Sequence, residues 1–221
     1  MTVHLNSLPT YTHREEIMNS ITHLIGLFFG LGTLVFFIIY HVNHQASFIY
    51  MMPFYIYSLV MMMVFFVSSF YHSSAFASKR RAVSRTIDHC DIYLFVIATY
   101  FPICMNAIEN KSAATAIMII EVVLALSGII INLVPVENKA TKLITYLIYL
   151  VDGWLLIFFY PFNIGLEFMV FLFILIGGVV YSLGAITYAL GSKKEWFHSI
   201  FHIFVVLAAI IQFIGIVLIL Y

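Results

Sequence analysis

Two of the 9 histidines in this 221-residue chain, His198 and His202, stand four residues apart, so a helix would project both imidazoles from one face, about 6 Å apart at Cβ. That spacing suits two ligands of one metal ion, as on the helices of metalloproteases. Chance pairs are common in a chain this rich in histidine, so the pair needs a third ligand, which His72 can supply. Three neutral imidazoles and a water make the open tetrahedral site of a catalytic zinc ion. Ser68 precedes His72 by four residues and Asp88 follows it. A hydroxyl and a carboxylate beside a zinc-bound water would serve orientation and proton transfer, and zinc lowers the pKa of such a water to about 7. The competing reading has each imidazole hydrogen-bonding a carbonyl or a lipid headgroup, with no metal at all.

Whether these groups meet depends on the elements that carry them. The chain is 63% hydrophobic and 9% charged, with a mean hydropathy of +1.06, against roughly 25% charged residues in soluble proteins. The 10 Lys and Arg balance 10 Asp and Glu at a pI near 7.1, so neither a nucleic-acid surface nor an acidic tail is indicated. Apolar stretches of about 20 residues recur, the length a helix needs to cross the hydrocarbon core. Their hydrophobicity is continuous rather than alternating, which argues against a β-barrel. The expected class is therefore all-α, a polytopic membrane protein with seven transmembrane helices near 17–40, 48–71, 88–108, 113–133, 142–160, 166–190 and 197–221. Short connections make one transmembrane domain, 17–221, after a polar tail, 1–16. The tail lacks the basic region and small-residue cleavage site of a secretory signal, so no segment is expected to be removed.

Orientation follows from the basic residues. Of the 10, Arg14, Lys79, Arg80, Arg81, Arg85, Lys139, Lys142, Lys193 and Lys194 fall on the side of the tail and the even loops, which leaves Lys111 on the other. The amino terminus is thus expected in the cytoplasm and the carboxyl terminus outside, as an odd helix number requires. In that topology the second helix ends at the cytoplasmic face with Ser68, Ser69 and His72, and the third starts there with Asp88 and His89. The seventh starts there with His198 and His202, and the first with Glu15, Glu16, Asn19 and His23. Polar groups from both ends of the sequence thereby converge beneath one membrane face, which is a site signal.

Other residues carry plainer expectations. Gly26 with Gly30, and Gly177, Gly178 and Gly184, read as small-residue stripes for close helix packing. Tyr40, Tyr71, Tyr160, Trp196 and Tyr221 read as an interfacial aromatic belt. Cys90 and Cys104 fall on one helix about 21 Å apart and cannot pair. His23 and His89 are expected to pack or to meet headgroups, and His4, His13, His41 and His44 to lie in the tail or loops. Glu121 and Asp152 lie midway along the fourth and fifth helices, where a charge costs about 2.5 to 3.5 kcal/mol on insertion scales. Each must face a cavity or a partner, or carry a proton, and the two leave open a polar path through the bundle.

The blocks EEIMNSITHLIG from Glu15, SSFYHS from Ser68, IDHCDIYLFVIATYFP from Ile87, GGVVYSLGAITYA from Gly177 and HSIFHIFV from His198 resemble the bacterial haemolysin III family. That family belongs with the progestin and adipoQ receptors and is more distantly similar to alkaline ceramidases. The resemblance implies a seven-helix fold with a cytoplasmic amino terminus and zinc held by His72, His198 and His202. It also implies a motif serine at Ser68, and at Asp88 a motif aspartate that contacts the zinc-bound water. The implied function is zinc-dependent hydrolysis of a lipid amide or ester in a bacterial plasma membrane, with membrane lipids as partners or substrate. One alternative is a non-enzymatic protein of membrane-lipid or energy homeostasis, or a sensor, with structural zinc. The other, taken from the family name, is a cytolytic pore, for which the chain offers no amphipathic segment beyond its spans. Asp91 departs from the family pattern, standing three residues after Asp88 where many relatives have a small residue, and is expected to face the cytoplasmic loop rather than tune the metal.

Overall fold

The computed structural model describes residues 10–76, 78–133, 139–191 and 194–221. Within them run seven α-helices and no strand: α1 (His13–His44), α2 (Phe48–Ser73), α3 (Lys79–Pro102), α4 (Lys111–Leu133), α5 (Lys139–Phe159), α6 (Phe168–Gly191) and α7 (Phe197–Leu218). Among the described residues, α1, α2, α3 with the turn after it, α4, α6 and α7 are long and apolar enough to cross a membrane, and α5 with the turn after it contributes the apolar stretch Leu147–Phe162. Each helix packs on the next and α7 returns to α1, closing a ring. The ring turns Ile25, Phe28, Ile39, Phe66, Ile130 and Phe158 outward, while Asn19, Ser68, Asp91, Glu121, Asp152 and Gln212 are buried within it. Apolar groups outside and polar groups inside are the arrangement that a hydrocarbon solvent selects.

The largest differences from the expected boundaries lie at the basic face. Thr12 caps α1: its hydroxyl accepts the Glu15 N–H at 3.3 Å, and the Glu15 carboxylate accepts the Thr12 N–H at 2.8 Å, a reciprocal capping box. Residues 13–16, expected in the tail, are therefore helical. α3 begins at Lys79, where the Ser78 hydroxyl accepts the Arg81 N–H at 3.1 Å, so Asp88 sits in the third turn instead of at the helix start. Hydropathy marks where a chain leaves the apolar layer, whereas caps mark where its helix ends, and here the two differ by more than two turns.

Helix contacts follow the small residues. A Cβ added to Gly26 would stand 2.7 Å from the Phe65 ring, and one on Gly30 would stand 2.9 Å from the Met62 side chain, so the stripe on α1 seats α2. Gly177 likewise meets Gln212 of α7 at 2.3 Å, but Gly178 has no neighbour closer than 3.8 Å and is not a close-packing residue. Tyr71 leaves the expected interfacial belt: it is buried, with the Arg81 guanidinium 4.8 Å above its ring. Cys90 and Cys104 are both free thiols. His13 opens α1, while His41 and His44 fall in its last turn rather than a loop. His4, Lys193 and the side chains of Lys139 and Lys142 lie outside the described residues.

Candidate metal centre

The last turn of α2 and the first turns of α7 bring His72, His198 and His202 together. The Nε2 atoms of His198 and His72 are 3.3 Å apart, and those of His202 and His198 are 3.0 Å apart. One ligand atom from each lies within 4.8 Å of the others, and among the described residues these three form the only such group. Two nitrogens each about 2.0–2.1 Å from one zinc ion at a tetrahedral angle stand about 3.3–3.4 Å apart, so the triangle fits one small divalent cation. All three imidazoles are buried, at 3%, 7% and 1% exposure in chain order, which keeps competing water off the nitrogens.

The orientation of His72 comes from Glu16, which the sequence places near the site without a role. Glu16 Oε2 lies 2.7 Å from His72 Nδ1. An ionised carboxylate can only accept, so Nδ1 carries the proton and Nε2 turns its lone pair toward the other two rings. A lone pair aimed at a second nitrogen 3.3 Å away is favourable when a proton or a cation lies between them. A carboxylate behind a histidine whose far nitrogen faces a shared point is the arrangement that supports metal-bound imidazoles. The other Glu16 oxygen pairs with Arg81, whose Nη1 donates to the Ser74 carbonyl at 3.1 Å. Asn19 packs beside this line: its oxygen accepts from the Ser199 hydroxyl at 2.6 Å, while its amide nitrogen, a donor, stands 3.4 Å from the protonated His72 Nδ1 and does not bond it. Glu16, Asn19 and His23 share one face of α1 through i, i+3 and i+4 spacing, and that stripe is the sequence signal for them.

Glu15 does different work. Its Oε1 accepts the Trp196 N–H at 2.7 Å, and Trp196 caps α7 in a left-handed conformation, φ 66°, with no side-chain cap of its own. The same carboxylate therefore closes α1 through Thr12 and fastens α1 to the start of α7.

Ser68 lies buried one turn deeper than His72, with its hydroxyl directed at the Asp88 carboxyl of α3, which Arg85 also approaches. Asp91 departs from expectation: it is 1% exposed, and neither of its oxygens has a hydrogen-bond partner among the described residues. It faces inward, close enough to Asp88 for the two carboxyls to interact, because positions three apart share a helix face. His23 is a packing residue, its ring centroid 3.9 Å from that of His202 and 5.1 Å from that of Phe65, which it meets edge to face. His89 contributes its carbonyl, which accepts the Tyr149 hydroxyl at 2.6 Å.

Tyr11, just before α1, stacks on His198 with ring centroids 4.5 Å apart and planes 13° from parallel. Burial raises its phenol above the ordinary value, with Tyr71 and Tyr188 adding to the effect, so it remains a neutral hydroxyl through the physiological range. Beside it runs a groove of about 720 Å³ whose walls include Tyr11, Glu16, His72, Arg81, Ile17 and Ile21. Ile17 and Ile21 are exposed on the outer surface of the ring, so the groove joins the apolar exterior to an edge of the histidine cluster.

A family model described as "Haemolysin-III related" matches residues 11–213. A hemolysin-3 homolog from Bacillus subtilis (strain 168) is 33% identical over 196 residues, 88% of this chain and 89% of the relative. The hemolysin-3 of Bacillus cereus is 32% identical over 195 residues, 87% of this chain and 85% of the relative.

Proposed function

We propose a function from two premises: the chain belongs to the haemolysin-III related family, and three imidazole nitrogens converge inside its membrane bundle. The reading is a zinc-binding membrane protein that hydrolyses a lipid amide or ester. The observation that carries it is the line from the Glu16 carboxylate through His72 to the shared point of the three nitrogens. Three neutral imidazoles suit zinc, whereas magnesium and calcium take oxygen ligands. Zinc in that position supplies Lewis acidity and water activation.

The chain's own residues have distinct parts in this scheme. His72, His198 and His202 hold the ion, Glu16 fixes the His72 ring, and Arg81 balances the Glu16 charge. Asp88 takes a proton from the attacking water and returns it to the leaving group, and Ser68 orients the Asp88 carboxyl. The groove beside Tyr11 admits a membrane lipid, headgroup toward Arg81 and chains along Ile17 and Ile21. A plasma-membrane location is supported by the relatives from two Bacillus species.

A second reading, structural zinc in a non-enzymatic homeostasis protein or sensor, has its own support. The three histidines come from α2 and α7, which lie on either side of α1, so a metal would staple the ring across α1. Metal analysis and lipidomics separate the two readings. The purified protein should carry about one zinc ion per chain, lost in the His198→Ala, His202→Ala double variant. Incubated with a membrane lipid extract, it should release acyl products that a chelator abolishes and that Asp88→Asn abolishes while retaining zinc. Zinc without turnover would leave the structural reading, and a metal-free protein would overturn both.

A further inference from the structure

Glu121 and Asp152 belong to no part of the metal centre. Both are 0% exposed. They stand on neighbouring helices, α4 and α5, and their carboxyl groups turn toward each other. Yet none of their four oxygens has a hydrogen-bond partner among the described residues, because two carboxylates can only accept. No cation among the described residues acts on either. The titratable groups facing them are Tyr93 and Tyr100 of α3 and Cys104 of the π-helical turn after it, Ile103–Ala107. The Tyr100 hydroxyl is already engaged, accepting the Leu156 N–H at 3.0 Å and donating to the Asp152 backbone carbonyl at 3.3 Å. The Tyr93 hydroxyl is buried near Asp152 and turns toward Tyr149 and Asn132.

Two bare anions side by side in a low-dielectric interior are far costlier than one anion that shares a proton with its neighbour. A single proton turns one carboxyl into a donor and the other into its acceptor, which satisfies both at once. We propose that Glu121 and Asp152 form a proton-binding site in the transmembrane core, one proton held between the two carboxyls. The site lies on α4 and α5, away from the histidines of α2 and α7, so it stands whether or not the metal centre is an enzyme. A shared proton at that depth gives the bundle a group that can take up or release charge inside the membrane.

Infrared difference spectroscopy of the purified full-length protein in detergent near neutral pH tests this, with the spectrum of Glu121→Gln, Asp152→Asn subtracted from that of wild type. The expected difference is one protonated-carboxyl carbonyl band and one carboxylate band, the first converting to the second on titration with alkali. Two carboxylate bands with no protonated band would overturn the proposal, and two protonated bands with no carboxylate would overturn the sharing. Should the double variant not fold, Glu121→Gln alone serves, since its amide can donate to Asp152 in place of the proton. Its subtraction should then show loss of the protonated band with the carboxylate retained, and an unchanged protonated band would refute the assignment.

Discussion

Replacing Glu16 by Gln keeps the shape of the side chain and removes its charge. The Gln carbonyl could still accept the His72 Nδ1–H that Glu16 receives at 2.7 Å, so the ring would keep roughly its direction. A neutral acceptor makes a hydrogen bond about half as strong as a charged one, and it no longer raises the basicity of Nε2. Loss of such a supporting partner costs about 10- to 100-fold in metal affinity, or about 1.4 to 2.7 kcal/mol. A second effect accompanies the first, because Arg81, only 2% exposed, would keep the Ser74 carbonyl but lose its ion pair. Stranding a fully buried charge costs about 3 to 5 kcal/mol. The Glu16 side chain is 16% exposed, so water reaches the pair and the penalty should fall toward about 1 to 3 kcal/mol. Adding Arg81→Met separates the effects: the double variant should recover thermal stability without recovering zinc affinity. The assays are zinc competition against a chromogenic chelator and thermal unfolding of the metal-free protein, both in detergent. If Glu16→Gln unfolds at lower temperature yet binds zinc as wild type does, Glu16 is a partner of Arg81 alone and does not position His72.

Three further outcomes follow from the same geometry. Glu15→Ala should lower stability by about 1 to 2 kcal/mol in thermal unfolding, since it strips the acceptor from both Thr12 and Trp196, and the cost of a lost cap is of that size; Thr12→Ala, which spares the α7 contact, should cost less. Gly128→Ala should destabilise by about 1 to 3 kcal/mol because its Cβ would stand 2.1 Å from the Tyr93 ring, and a variant as stable as wild type would show that α3 and α4 do not pack as described. Tyr11→Ala should lose about 0.5 to 1.5 kcal/mol of ring stacking on His198, while Tyr11→Phe should match wild type. A phenol held neutral by burial contributes fully below its unfolded pKa and begins to lose that contribution only as pH rises above it, so the stability profiles of wild type and Tyr11→Phe should coincide through neutral pH and part only in alkali.

The fold class and the histidine triad were legible before any coordinates. A chain of 9% charge has few solvents open to it, and helical periodicity alone puts His198 and His202 on one face. His72 needed one further step, the alternation of helix direction that the basic residues imply. That same reasoning misplaced Asp91, because it started α3 at Asp88 when the Ser78 cap starts it at Lys79. The extra turns make Asp88 and Asp91 members of a helix interior with one face inward, where a helix starting at Asp88 left Asp91 facing the cytoplasmic loop.

What one sequence cannot express is which side chains from distant segments face each other. Glu16 and His72 lie 56 positions apart and meet at 2.7 Å, a pairing set by how closely α2 settles on Gly26 and Gly30 of α1. Glu121 and Asp152 were identifiable one by one as intramembrane acids from depth alone. That they answer each other follows from the rotation of α4 and α5 about their axes, which depends on packing across the whole ring. Hydropathy and periodicity are sums over neighbours in the chain, and they determined the all-helical membrane class and the face that His198 and His202 share. Orientation and partnership are sums over neighbours in space, so only the tertiary structure decided which carboxylate meets the His72 ring and which two buried acids face each other.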